Sequence, residues 1–400
     1  MAFRLAFLIA MAVALLDLEI VLNIEKANPI EKGILIVAGL IYVASRRRED
    51  KNLVLLAALL SAVTLTAMFC TFPLFTWNRF ARSAVSLLAF LLLLCAWPTK
   101  SDRRFVLTVL AFAPLAAVAL GCCYQIVGLR KLFEVDFLGT TRLGGSIGPA
   151  FLGALAATGA TAAAFLYGDR LKTSWLALAA VDIGLAALSG SRMAFVVGVC
   201  VTGFVMLAQR KNFLFRFVIV VYGTAALGAF LVLFSDQILK RLNSNTMSGR
   251  ELIWNEVQGY IARYPRLGIG LGHQMDILSA NATVMTHTVA AHNEYLRFTV
   301  ELGYVGATVF ALLFLSMLIV LITSPRMRQP VTFAVACIAF LIFSFTDNTF
   351  SVPHVFMLLV GALMGASVTD DAPALATPEP PSPVGQLAPP PWAGSAASGR

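Results

Sequence analysis

HNEYLRFTVELGYVGATVFALLFLSMLIVLIT, residues 292–323, decides the fold. From residue 299 to 323 it is almost wholly apolar and long enough to cross a bilayer as a helix. In lipid each backbone N–H and C=O must be paired inside the segment, which a helix does by itself. The first part of the stretch is different in kind. It sets His292, Glu294, Arg297 and Glu301 at the edge of that apolar run. Polar groups at such a place need a reason, because ionisable side chains near a membrane are costly unless partnered.

The same reading extends outward. Apolar stretches fall at 5–24, 30–45, 53–73, 81–98, 105–126, 146–167, 173–190, 192–209, 213–235, 299–323, 330–347 and 352–368. They predict an all-α integral membrane protein with about 12 transmembrane helices, of which 30–45 and 352–368 are short. An outer-membrane barrel is excluded, since it reads as alternating ten-residue strands. Composition agrees: 59% of residues are hydrophobic, 13% are charged and the mean hydropathy is +0.82. A soluble domain is nearer half apolar and a quarter charged. The first apolar segment holds Asp17 and Glu19 and lacks a small-residue cleavage site, so it reads as a retained helix. Cys70, Cys95, Cys122, Cys123, Cys200 and Cys337 all lie in or beside apolar runs, with neither a disulfide framework nor metal-ligand spacing. The net charge of +9 suits anionic lipid and gives no reason to expect nucleic acid.

Lys and Arg placement orients the chain. With both termini in the cytoplasm, the short inner loops hold 14 Lys and Arg against 8 in the short outer loops. The organisation expected is helices 1–9 over residues 1–235, one long outer loop over 236–298, helices 10–12 over 299–368, and a disordered cytoplasmic tail over 369–400, rich in Pro, Ala and Ser.

The outer loop has readable parts. SGRELIWNEVQGYIARYP, residues 248–265, is a helix bounded by a capping box (Ser248, Glu251) and by Pro265, with Leu252, Ile253, Trp254, Val257 and Ile261 on its apolar side. Arg250 sits in its first turn, where the helix dipole favours anions. It either points into water or joins the free N–H groups in holding a phosphate. LGIGLG, residues 267–272, follows no strand and reads as a tight turn, with close approach to a ligand as the lesser reading. His292 precedes the next helix as either an interfacial histidine or a general base. Glu294 is about 200° round the helix from it and is expected to face away. Gly303 and Gly306 are expected on one face, where they would permit close helix contact. Arg192 lies in a minimal turn after Asp182, an ionisable residue inside a span, and Arg142 lies where a Gly-rich loop enters a helix. Arginines in such numbers suit phosphate or pyrophosphate, which their planar guanidinium groups bind bidentately.

His292-Asn293 followed after nine residues by Gly303-x-x-Gly306, with SGRELIW…YPRLGIGLG upstream, resembles the signature of the bacterial O-antigen ligase and O-antigen polymerase superfamily. The specific likeness covers residues 248–306, and the single long outer loop makes the chain most similar to the ligases. The resemblance implies an all-helical glycosyltransferase in the bacterial inner membrane, with residues 236–298 in the periplasm. Its donor is a glycan on undecaprenyl pyrophosphate and its acceptor is lipid A–core oligosaccharide. It implies His292 as the catalytic residue, Arg192, Arg250 and Arg142 as pyrophosphate ligands, Asn293, Gly303 and Gly306 as motif residues, and no metal or cofactor. A polymerase or protein O-oligosaccharyltransferase of the same superfamily is the alternative. A lipid-linked anion transporter is a rival, disfavoured because the chain has no similar halves.

Overall fold

Apolar sequence with few charges satisfies its backbone internally, and the chain is helical almost throughout. The computed structural model describes residues 1–22, 28–45, 51–95, 97–135, 139–210, 212–233, 235, 250–280, 282–283 and 290–367. The tail 369–400, Ser248, His287 and the side chain of Arg250 lie outside the described residues.

The helices are α1 (Ala2–Leu16), α2 (Leu18–Leu22), α3 (Asn28–Ala44), α4 (Lys51–Thr66), α5 (Trp77–Leu94), α6 (Lys100–Ile126), α7 (Pro149–Arg170), α8 (Thr173–Leu188), α9 (Arg192–Gln209), α10 (Phe213–Leu233), α11 (Arg250–Arg263), α12 (Glu294–Thr323), α13 (Pro330–Ser344) and α14 (Pro353–Ala366). Between α6 and α7 an antiparallel hairpin, β1 (Phe133–Val135) and β2 (Thr141–Leu143), pairs Glu134 with Arg142. Six helices among the described residues are long and apolar enough to cross a membrane, and five more are apolar but shorter. The chain is thus an all-α membrane protein; these apolar helices number eleven among the described residues, against about twelve crossings expected from the sequence.

The centre is α7 and α14. Every residue of α14 is buried, and α7 is lined by Ala154, Ala156, Ala157, Ala160, Ala162, Ala163 and Ala164. Those small side chains let α6, α8, α9 and α14 approach it closely. By contrast α10 exposes Phe213, Leu214, Phe217 and Tyr222, an apolar surface suited to lipid.

Polar contacts concentrate at the two ends of the bundle, named here by residues that sit there. At the Arg103 end, Arg103 donates to the carbonyls of Met364 and Gly365 (3.0 Å each) and pairs with Asp169, while Arg4 pairs with Asp102 (2.8 Å). The C-terminus of α14 is tied to the α12–α13 connection there, Gln329 N donating to Ala366 O (3.0 Å). At the His292 end lie α11, the glycine turn and the start of α12.

Candidate site at the His292 end

Gly303 explains why α12 is two pieces. Its φ of 70° and ψ of 174° are not helical. That region is open essentially to glycine alone. The break frees backbone groups, and the turn after α11 takes them. Ile269 N donates to Val300 O (2.9 Å), Gly270 N to Glu301 O (3.1 Å) and Tyr304 N to Pro265 O (2.8 Å). A Cβ on Gly303 would run into the carbonyl of Arg266, and one on Gly268 would lie 2.5 Å from Val300 O. The glycine turn therefore meets the backbone of α12. The expected pairing of Gly303 with Gly306 on one helical face does not form: Gly303 leaves the helix, and the only atom near a Cβ at Gly306 is Leu302 Cβ.

α11 holds this assembly down. Ile253, Val257 and Ile261 are buried against Phe72, Ile269, Ile277, Ala291 and Val300. Leu252, expected on that face, is exposed, because it lies one position off the buried stripe. Trp254 Nε1 donates to Ala291 O (2.9 Å), which fixes the residue before His292. Asn293 then caps α12, accepting from Tyr295 N (3.1 Å) and Leu296 N (3.2 Å). His292 adopts a left-handed φ of 47°, uncommon for a residue with a side chain. Its Nδ1 lies 3.3 Å from Asp347 Oδ1, on the α13–α14 connection. With Nδ1–H donating to that carboxylate, Nε2 is the nitrogen able to take a proton.

Arg297 lies one turn inside. It pairs with Glu294 (2.9 Å) and Glu301 (3.2 Å) and bonds Ser351, and all three charged side chains are buried. Glu294 also accepts from Phe350 N (2.8 Å), and Glu301 from Gln274 N (3.3 Å). The polar residues beside the apolar run thus tie α12 to the α13–α14 connection and to the loop. The Glu294 carboxylate is engaged by Arg297 and by Phe350 N.

Arg297 and Glu301 form one wall of a cavity of about 190 Å³. Lys32 of α3, with Arg79, Arg82, Ser83 and Ser86 of α5, form another wall, and Gly272, Gln274, Met275, Asn348 and Ser351 complete it. The loop is clipped to α5 at this point: Arg79 pairs with Asp276 (2.7 Å), and Thr76 N donates to His273 Nε2 (2.7 Å). Neither Lys32 nor Arg82 makes an ion pair among the described residues. Four cations on one cavity make an anion site by composition. Asn348 and Asp347 are neighbours, so the histidine pair borders the same connection that walls the cavity.

The arginines singled out in the sequence fall elsewhere. Arg142 Nε donates to Ser189 O (2.8 Å), which pins the hairpin to the α8–α9 turn. Arg192 opens α9 from that same turn, and neither residue lines the cationic cavity. Asp182 is buried among Gly159 and Pro114, and its carboxylate has no hydrogen-bond partner among the described residues. Arg250 begins α11. The sequence reading passed over Lys32, Arg79, Arg82 and Asp347. Arg79 and Arg82 did carry a signal, as cations in the first turns of a helix whose dipole prefers anions. Asp347 carried none.

Residues 175–311, from α8 into α12, match the family model described as O-antigen ligase, a family of glycosyl-transferring enzymes. No curated protein matches the chain. The matched segment contains His292 and Arg297 but not Lys32, Arg79, Arg82 or Asp347, so the cavity is completed by parts of the chain beyond it.

Proposed function

We propose, from the membership of the O-antigen ligase superfamily that this match supports, that the chain is an O-antigen ligase. It transfers O-polysaccharide from undecaprenyl pyrophosphate to lipid A–core oligosaccharide at the periplasmic face of the inner membrane. The observation that carries this reading is the convergence of Lys32, Arg79, Arg82 and Arg297 on one cavity beside the His292–Asp347 pair.

The chemistry follows from those groups. An acceptor hydroxyl attacks the anomeric carbon of the donor, and its proton passes to His292 Nε2. The bond from that carbon to the pyrophosphate oxygen breaks, and the electron pair leaves on the pyrophosphate. Asp347 orients the imidazole and stabilises the charge it gains. The four cations offset the charge growing on the leaving group, the role a divalent ion takes elsewhere, so no metal is required. Arg79 and Arg297 are fixed in advance by Asp276, Glu294 and Glu301, so these two need little reorganisation during the reaction. Arg142 and Arg192 lie at the α8–α9 turn, outside the cationic cavity, and are not needed for this reading.

The test is reconstitution of the purified protein with lipid-linked polysaccharide and rough lipopolysaccharide, scoring transfer with each omitted. Product that requires both supports ligation. Lengthening of the lipid-linked glycan without rough lipopolysaccharide identifies a polymerase. Loss of transfer to both acceptors leaves the reading without support.

A further inference from the structure

A second pocket, of about 110 Å³, lies on the other flank of α3, and it has the opposite character. Asp17, Glu19, Glu31 and His354 line it, with Ile147 and Phe151 as apolar wall. Glu31 and Lys32 are consecutive on α3. Consecutive helical side chains diverge by about 100°, so one helix end is the partition between an acidic pocket and the cationic cavity.

The acidic pocket presents acceptors. Glu31 and His354 are each only 7% exposed. His354 bonds the backbone of Ala14, and its Nε2 has no partner among the described residues. With the other ring nitrogen donating, Nε2 offers a lone pair. Asp17 is partly offset by Arg130 (3.1 Å). Phe151 stacks on the His354 ring (5.5 Å between centroids) yet remains 40% exposed, so one apolar ring face is open. Among the described residues no three His, Cys, Asp or Glu side chains stand close enough to share a metal ion. Buried acceptors beside an apolar face ask for a ligand with several donors and an apolar flank. A pyranose has both, in its hydroxyls and its C–H face.

We infer that this pocket is a sugar-binding subsite, which holds a pyranose farther along the glycan of the lipid-linked donor while the cationic cavity across α3 holds the pyrophosphate. The inference rests on the donor reading given above. It adds Glu31 and His354 as residues that bind the glycan, and Phe151 as the surface the ring lies on.

The experiment measures binding of two probes to the full chain in nanodiscs: undecaprenyl pyrophosphate, and the same lipid bearing a short oligosaccharide. The wild type is expected to bind the sugar-bearing lipid more tightly. Glu31→Gln, close to isosteric, and His354→Leu are expected to weaken that probe about tenfold, the loss of a hydrogen bond to a charged or buried group. Their Kd for the sugar-free lipid should stay within about twofold, which also shows that the variants are folded. Equal binding of both probes by the wild type overturns the subsite. So does parallel weakening of both probes in the variants, which marks a structural role. A third arm uses phosphatidylethanolamine nanodiscs against phosphatidylglycerol ones. If Glu31→Gln changes affinity for the ethanolamine headgroup and not for the sugar, the pocket takes an ammonium and the proposal falls. If the wild type binds neither lipid probe, the ligase reading fails together with it; intact binding of the sugar-free lipid separates the two failures.

Discussion

Arg103 and Arg297 are both buried arginines at the end of a helix bundle, and they do opposite work. Arg103 meets Asp169 and two backbone carbonyls, and its end of the bundle is closed by the link between Ala366 and Gln329. Charge there is a staple: every contact holds two helices together. Arg297 is held between Glu294 and Glu301, yet it walls a cavity that Lys32, Arg79 and Arg82 also face. Buried charge that is fully matched gives architecture, and charge left in excess around a cavity gives a site for an anion. The two ends also differ in backbone. The His292 end uses positive φ at His292, Gly268, Gly270, Gly272 and Gly303, whereas at the Arg103 end, among the described residues, it is Leu171 beside Asp169 that does so.

The comparison can be broken by substitution. The largest effect is expected at His292→Ala, where transfer should fall by about 10²–10⁴ because positioned proton removal is lost. Donor binding should persist, since the cations remain. Near-normal capping of rough lipopolysaccharide by this variant at matched expression removes the base from the mechanism. Next come Arg79→Ala and Arg82→Ala. Each should cut transfer by roughly 10²–10³, the loss of one stabilising donor, with poor rescue by lysine where contact is bidentate. If both are silent while Arg192→Ala is not, the anion site lies at the α8–α9 turn instead.

Arg103→Met sharpens the contrast from the other side. It should destabilise the fold by about 1–3 kcal/mol, because it leaves the carbonyls of Met364 and Gly365 without their donor, while the exposed Asp169 carboxylate turns to water. Specific activity of the surviving folded protein should be unchanged, as thermal unfolding and transfer measured on one sample will tell. Gly303→Ala should cost about 1–3 kcal/mol for its backbone conformation alone. Gly306→Ala should cost less, since its φ is helical, although a Cβ there lies 2.9 Å from Leu302 Cβ and the two must move apart. Equal melting temperatures for the two would mean that the break in α12 is not required. The smallest effect expected is that of EDTA: transfer should continue undiminished, and rescue by one divalent ion after a loss would replace the arginines as the charge carriers.

How far the residues alone reached depends on the range of the interaction. α11 with its buried Ile253, Val257 and Ile261, and the glycine turn were legible because each depends on neighbours a few positions away. Leu252 was misplaced by one position on the same helix, since a sparse apolar pattern leaves the stripe's centre undefined over so short a length. Gly303 was read as a packing glycine because its spacing to Gly306 suits a continuous helix. The break depends on backbone from residues 265–270, which no local pattern announces.

The same division holds for the site. Composition and apolar run length determined an all-helical membrane chain, because backbone pairing in lipid leaves a single-segment solution. The His292-Asn293 motif and the excess of arginine pointed to a base and an anion. Which arginines meet was decided by tertiary structure alone. Lys32, Arg79, Arg82, Arg297 and Asn348 are far apart in sequence and converge because α3, α5, α12 and the α13–α14 connection end at one face. Arg142 and Arg192 share every compositional trait of the others but end against Ser189 and its turn. Charge is a property of a residue, and a binding site is a property of distances between residues that only the packing of helices sets.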